Sequence, residues 1–156
     1  MREPLFLMQG SIQTGKKGNN NNSQRNKLET RPATNDDIEH CNKLCTSVHG
    51  FARERELHQA IAQRVAAVVE RDGEITGYST GIGILCYSVG KTNDDLKALI
   101  GNAEVILGPG FFVPGRNHEL LTWLLDSGFR IAWPANLMSI GNYQEPKGAF
   151  IPSLAY

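Results

Sequence analysis

Apolar side chains between Thr34 and Gly50 recur three and four positions apart, which is the spacing of one buried helix face. Thr34 or Asn35 can cap the start of this helix, and Gly50 can end it in the left-handed conformation. A second helix is predicted in RERELHQAIAQ. The apolar stripe of the first helix consists of Ile38, Cys41, Leu44, Cys45 and Val48.

The apolar spacing then changes to every second residue, which is typical of strands. Runs at 65–70 and 74–80 are joined by Asp72-Gly73, a dipeptide that favours a hairpin because both turn positions take positive φ. A third run at 84–89 leads into a helix in DDLKALIGNA.

The rest of the chain alternates between strand and helix patterns. A strand at 28–31 precedes the first helix, and the last part of the chain reads as a strand, a helix and two strands. The predicted order is strand, two helices, three antiparallel strands, helix, strand, helix, strand and strand. This order predicts an α+β fold with helices packed on a mixed sheet.

The first part of the chain has a different composition. The stretch GSIQTGKKGNNNNSQRN is built from residues that bury too little apolar area to offset the entropy of ordering them. We therefore predict a flexible leader or linker over 1–27 and one folded domain over 28–156.

Charge and cysteine content narrow the class of protein. The 16 basic and 16 acidic residues balance, but basic residues are concentrated in 1–27, so the remainder is mildly acidic and lacks a footprint for nucleic acid. The 3 cysteines are too few for a disulfide framework. No apolar run approaches the ~20 residues that span a bilayer. We expect a cytoplasmic protein that binds neither nucleic acid nor membrane.

A metal site is the less favoured interpretation of one cluster. Cys41, Cys45 and His49 follow one helix face at intervals of four, and such side chains can hold zinc. A fourth ligand is not evident, and cysteines on a core-facing stripe are commonly buried packing residues. We therefore predict no metal.

Several stretches, in their joint order, resemble the GNAT superfamily of acetyltransferases from about Leu28 onwards. ETRPATNDDIEHCNKL resembles the family's first strand and helix, and VVERDGEITGYSTG resembles its hairpin. In RNHELLTWLLDSGF, Asn117 and Gly128-Phe129 stand at the family's spacing. The resemblance implies a GNAT-like mixed, largely antiparallel sheet with helices on both faces.

The resemblance also implies transfer of an acetyl group from acetyl-CoA, a co-substrate, to the amine of a small molecule or peptide. It places Gly90, Lys91, Thr92 and Asn93 near the coenzyme phosphates, and Asn117 beside the coenzyme. From its position alone, Asn117 can equally be a helix cap. The segment GFARERELHQ would form a wall of the acceptor pocket, although such a charge run is usually a solvated face.

Two features depart from the family pattern. Instead of the pyrophosphate loop Gln/Arg-x-x-Gly-x-Gly/Ala the chain has YSVGKTN, followed by Asp94 and Asp95, which would repel phosphate. Where the family often has a tyrosine that protonates the leaving thiolate, the chain has Leu124. Tyr87 and Tyr143 are weak candidates to replace it, and the catalytic residues are otherwise unknown.

The stretches FFVPGRN and LMSIGNYQEPKGAFIPSLAY resemble the non-standard second halves of two-part GNAT proteins. This implies a partner GNAT domain, while an exposed C-terminal strand would allow a homodimer. The alternative function is that of a catalytically degenerate GNAT-fold domain, which acts as a structural or substrate-shaping partner of an active acetyltransferase domain.

Overall fold

The computed structural model describes residues 3–11, 28–141 and 143–154. From Leu28 onwards, its elements follow the predicted order, and the fold is α+β as predicted. The strands are β1 Glu3–Gln9, β2 Leu28–Pro32, β3 Ala67–Arg71, β4 Glu74–Ser79, β5 Ser88–Gly90, β6 Phe111–Pro114, β7 Arg130–Leu137 and β8 Ala149–Ile151. The helices are α1 Ile38–His49, α2 Glu54–Ala62, α3 Asn93–Gly101 and α4 His118–Asp126, with a 3-10 turn at Asn35–Asp37 before α1.

The strands form two sheets. One sheet has the order β2-β3-β4-β5-β8, and the other has the order β6-β1-β7. Every pair of neighbouring strands in the two sheets is antiparallel. The prediction of a single mixed sheet is therefore wrong, because β8 takes the edge of β5, and β6 pairs with β1 in a separate sheet.

The hairpin between β3 and β4 confirms the turn prediction. Asp72 has φ 53° and Gly73 has φ 80°, so both central residues are left-handed as this turn requires. A bulge between Val69 and Glu70 shifts the register that starts at this turn, so that Val68 lies opposite Tyr78. This register matters because it sends the two side chains to the same face of the sheet.

The larger sheet has helices on both faces because its side chains alternate. Val68 and Tyr78 pack with α1 and α2, whereas the next residue, Val69, packs with α3 and α4. The apolar stripe predicted for the first helix is buried along its whole length, so that prediction is confirmed. In the part of the chain that the structure describes, no helix is long and apolar enough to cross a membrane.

The first strand, β1, overturns the predicted start of the folded domain. It is the central strand of the smaller sheet, and Leu7 and Met8 are both 0% exposed. Leu7 packs with Phe112 on one side of that sheet, and Met8 packs with Phe111 on the other. The predicted leader over 1–27 is therefore wrong for Glu3–Gln9, while residues 12–27 lie outside the described ranges.

The last strand, β8, is buried and not exposed as expected. Its three residues are 9%, 3% and 2% exposed, and β8 hydrogen-bonds to β5 and lies beside β6. A homodimer through this segment is therefore not supported by Ala149–Ile151.

We expect Leu7→Ala to lower the free energy of unfolding by roughly 2–5 kcal/mol, because it leaves a cavity at a fully buried position of a central strand. Urea unfolding measures the change. Leu125→Ala is the matched control, since Leu125 is 47% exposed on α4 and its loss should cost less than about 0.5 kcal/mol. Equal, small effects of both substitutions would contradict the assignment of β1 to the core.

Candidate functional site

The N-terminal ends of α3 and α4 meet at a cavity of about 330 Å³, here called the interhelix cleft. The lining contains all of the predicted coenzyme-binding residues except Gly90, which directly precedes Lys91 in the chain. The cleft is lined by Lys91, Thr92, Asn93, Pro114, Arg116, Asn117, Gly148, Ala149 and Phe150. The structure thus brings together residues that are far apart in the sequence.

Two side-chain amides join the helix ends across this cleft. Asn93 Nδ2 donates to Asn117 Oδ1 at 3.0 Å, and Asn117 Nδ2 donates back to Asn93 Oδ1 at 2.8 Å. Asn117 Oδ1 also accepts from the backbone N–H of Leu120 at 3.3 Å, so Asn117 caps α4. The cap interpretation is confirmed, and a ligand contact through the Asn117 amide would require the amide pair to open.

The carboxylate of Asp95 occupies the N-terminal end of α3. Asp95 is 0% exposed and accepts from the Thr92 backbone N–H at 2.9 Å and from the Thr76 hydroxyl at 2.6 Å. The Arg71 guanidinium lies 3.6 Å from it. A negative charge therefore already occupies the positive end of the helix dipole, where a phosphate would bind.

Two glycines make room for this carboxylate. A Cβ built on Gly77 or on Gly90 would lie 2.9 Å from the Cβ of Asp95, closer than real side chains approach. Gly90, predicted near the phosphates, is thus a packing position against Asp95 in this structure.

Both cationic side chains that line the interhelix cleft are paired with carboxylates. Lys91 Nζ lies 2.6 Å from Glu74 Oε1. Arg116 Nε lies 3.1 Å from Glu3 Oε1, and the same guanidinium also pairs with Glu145. Because each cation of the cleft already has a counter-charge, these residues do not fit a pyrophosphate.

Of the two tyrosine candidates, Tyr87 lies under α1 and α2 and not in the interhelix cleft. It is 2% exposed, and its hydroxyl donates to the backbone carbonyl of Arg53 at 3.0 Å. The guanidinium of Arg53 lies 4.2 Å from the ring centre. Burial raises the pKa of Tyr87 well above that of an ordinary tyrosine. Tyr87 is therefore not placed to give a proton to a ligand in the cleft.

Tyr143 lines a second cavity of about 580 Å³, here called the aromatic cavity. Its walls come from the end of α1 and from the segment between β7 and β8. The lining residues are His49, Phe51, Leu137, Met138, Ser139, Tyr143, Gln144 and Pro146. This cavity was not predicted from the sequence, although the apolar side chains of Met138, Ile140 and Tyr143 lie outside any strand or helix.

Two local features place the β7–β8 segment over α1. The backbone N–H of Lys147 donates to the carbonyl of Val48 at 2.8 Å. Gly50 ends α1 with φ 83°, as predicted, and the side chain of Gln144 lies where a Cβ at Gly50 would be. Only glycine suits both the left-handed backbone and this close approach.

His49 forms the inner wall of the aromatic cavity. Its ring packs edge-on against Phe150 at 5.3 Å and is tilted against Phe51 at 5.8 Å. Burial, assisted by the charge of Arg53, lowers the pKa of His49 to about 4, so the imidazole is neutral at pH 7. Within 3–11, 28–141 and 143–154, no group of three ligand-type side chains could hold a metal ion.

No family model, curated protein or solved structure matches this chain. The resemblance to the GNAT superfamily therefore stays a prediction.

We expect Asp95→Ala to lower the free energy of unfolding by roughly 3 kcal/mol, because it strips partners from Thr76, Thr92 and Arg71 in a buried position. Urea unfolding measures the change. Asp94→Ala is the control, since the Asp94 side chain is 65% exposed in the same helical turn. If the two substitutions had the same effect, Asp95 would not hold α3 on the sheet.

We expect His49 to make stability depend on pH. The pKa of His49 in the folded chain, about 4, lies below the unfolded value of 6.5. The stabilisation that the neutral ring contributes is therefore complete above pH 6.5 and is lost as the pH falls through 4. Between pH 7 and 4.5 the loss should be roughly 2–3 kcal/mol. Urea unfolding at both pH values should show a smaller loss for His49→Phe. An NMR midpoint of the His49 ring near 6.5 would contradict the prediction.

Proposed function

We propose that this chain is a GNAT-like N-acetyltransferase domain, which serves the transfer of an acetyl group from acetyl-CoA to an amine acceptor. The observation that carries the proposal is the amide pair of Asn93 and Asn117. It joins the starts of two helices that the GNAT resemblance places against the coenzyme. The order of elements from β2 to β8 supports the same proposal.

The amide pair has the chemistry to bind the amide-rich arm of the coenzyme. When the pair opens, each side chain offers an N–H donor and a carbonyl acceptor to a peptide-like chain. Because Asn117 Oδ1 also caps α4, the donor side of its amide is the part that can turn to a ligand. The cleft would thus hold the coenzyme mainly by neutral hydrogen bonds.

The amine acceptor has to be neutral to attack a thioester. Direct attack then depends mainly on how the two reactants are positioned.

A second candidate function is that of a degenerate domain, which keeps this fold without the coenzyme and acts as a structural or substrate-shaping partner of an active acetyltransferase domain. Two specific observations favour it. Asp95 occupies the start of α3, and β8 is hydrogen-bonded to β5, whose Gly90 the resemblance places near the coenzyme phosphates. The paired cations Lys91 and Arg116 agree with this candidate.

Calorimetric titration with acetyl-CoA separates the two candidates. If the chain is a transferase, we expect micromolar binding that Asn117→Ser weakens about tenfold. Serine keeps an oxygen for the helix cap, so this variant tests the amide and not the cap. Lys91→Ala should weaken binding if Lys91 contacts a phosphate, and Lys43→Ala on α1 is its control, because Lys43 is also an exposed lysine paired with a glutamate.

S-acetylpantetheine, which lacks the pyrophosphate and the nucleotide, extends this test. If the amides carry the binding, it should bind within about fivefold of acetyl-CoA. No heat and no shift of melting temperature with either compound at millimolar concentration would overturn the transferase proposal in favour of the degenerate domain.

A further inference from the structure

The aromatic cavity has the size of a small-molecule site. Its volume of about 580 Å³ exceeds the roughly 330 Å³ of the interhelix cleft, and it falls within the ~300–1,000 Å³ that is usual for ligand pockets. Two polar side chains, Ser139 and Gln144, lie among mainly aromatic and aliphatic ones. A mostly apolar wall with a few polar groups is the usual composition of such pockets.

The lining of the aromatic cavity contains no Asp, Glu, Lys or Arg. Four other cavities in the described residues each include charged side chains. The imidazole of His49, on the inner wall, is neutral at pH 7 because it is buried. A charged ligand would lose its hydration here without gaining a counter-charge, so the cavity selects for uncharged molecules.

The shape of the wall favours a ring over an aliphatic chain. His49 is held by its contacts with Phe150 and Phe51, and aromatic groups arranged in this way bind a further ring edge-on or offset. Phe51 is 48% exposed and Met138 is 74% exposed at the cavity. Thioether and aromatic side chains left in contact with water mark a surface where an apolar group binds.

We propose that the aromatic cavity is a binding site for a small, uncharged molecule that carries an aromatic ring. The ring packs against His49 and Phe51, and Ser139 or Gln144 supplies the hydrogen bond that orients a polar substituent. This site is separate from the interhelix cleft and does not depend on acetyl transfer. The two cavities adjoin at Phe150, which lines the cleft and packs against His49.

The test is a titration of the full chain with indole at pH 7, monitored by ¹H–¹⁵N NMR. We expect saturable shifts confined to residues 49–51 and 137–146, with a dissociation constant of about a millimolar or below. Benzoate, which has a ring but is anionic, should bind at least about tenfold more weakly. Equal binding of benzoate, or indole shifts that spread elsewhere, would overturn the proposal.

Variants locate the site. Phe51→Ala should weaken indole binding at least about fivefold. Leu85→Ala, which removes an apolar side chain that is 65% exposed on another cavity, should leave binding unchanged. Met138→Glu serves as a second variant because its side chain is largely exposed, and a charge at the rim should weaken indole binding in a protein with unchanged melting temperature.

If indole binds to both variants as it does to the wild type, the assignment of the cavity is wrong. The indole titration contains no acetyl-CoA, so a negative result in it would not bear on the proposed acetyl transfer. In the same way, a failed acetyl-CoA titration would not affect the assignment of the aromatic cavity.

Discussion

The buried carboxylate of Asp95 is the interaction on which the arrangement of α3 depends. It binds the Thr76 hydroxyl of β4 and the Thr92 backbone at the helix start, in a space that Gly77 and Gly90 leave open. An unpartnered buried carboxylate would be strongly unfavourable, so its hydrogen bonds fix α3 against the larger sheet. The same charge fills the anion position at the helix end. One residue therefore determines both how the helix packs and what the adjacent cleft can bind.

The two ends of the chain complete the two sheets. β1 lies between β6 and β7, and β8 lies beside β5. Arg116, just before α4, connects these regions, because its guanidinium pairs with Glu3 of β1 and with Glu145 before β8. It also lies 5.7 Å from the ring centre of Phe150. Arg116 is thus engaged in contacts that hold the two sheets and the β7–β8 segment together.

Local signals in the sequence were sufficient for the parts of the fold that local chemistry determines. The α1 stripe, its end at Gly50 and the turn at Asp72-Gly73 need only neighbouring residues, and all three are as predicted. β1 was missed because a strand buried on both faces reads as a continuous apolar run, and PLFLM is followed by a polar stretch. The division of the strands into two sheets was missed because pairing between distant segments leaves no local pattern. For the site, Asn117 as a cap and Asp95 at the helix dipole were predicted from position, whereas the aromatic cavity depends on a fold-back over α1.

The distribution of charge explains why the two cavities differ. In the interhelix cleft, each cation is paired, since Lys91 and Arg116 hold carboxylates from other elements. The residues that line the aromatic cavity include no Asp, Glu, Lys or Arg, and burial keeps His49 neutral. The cleft therefore contains paired charges beside its amides, whereas the aromatic cavity presents uncharged hydrogen-bonding and apolar groups at pH 7. They adjoin at Phe150, which lines the cleft and packs edge-on against His49, so one buried ring belongs to the wall between them.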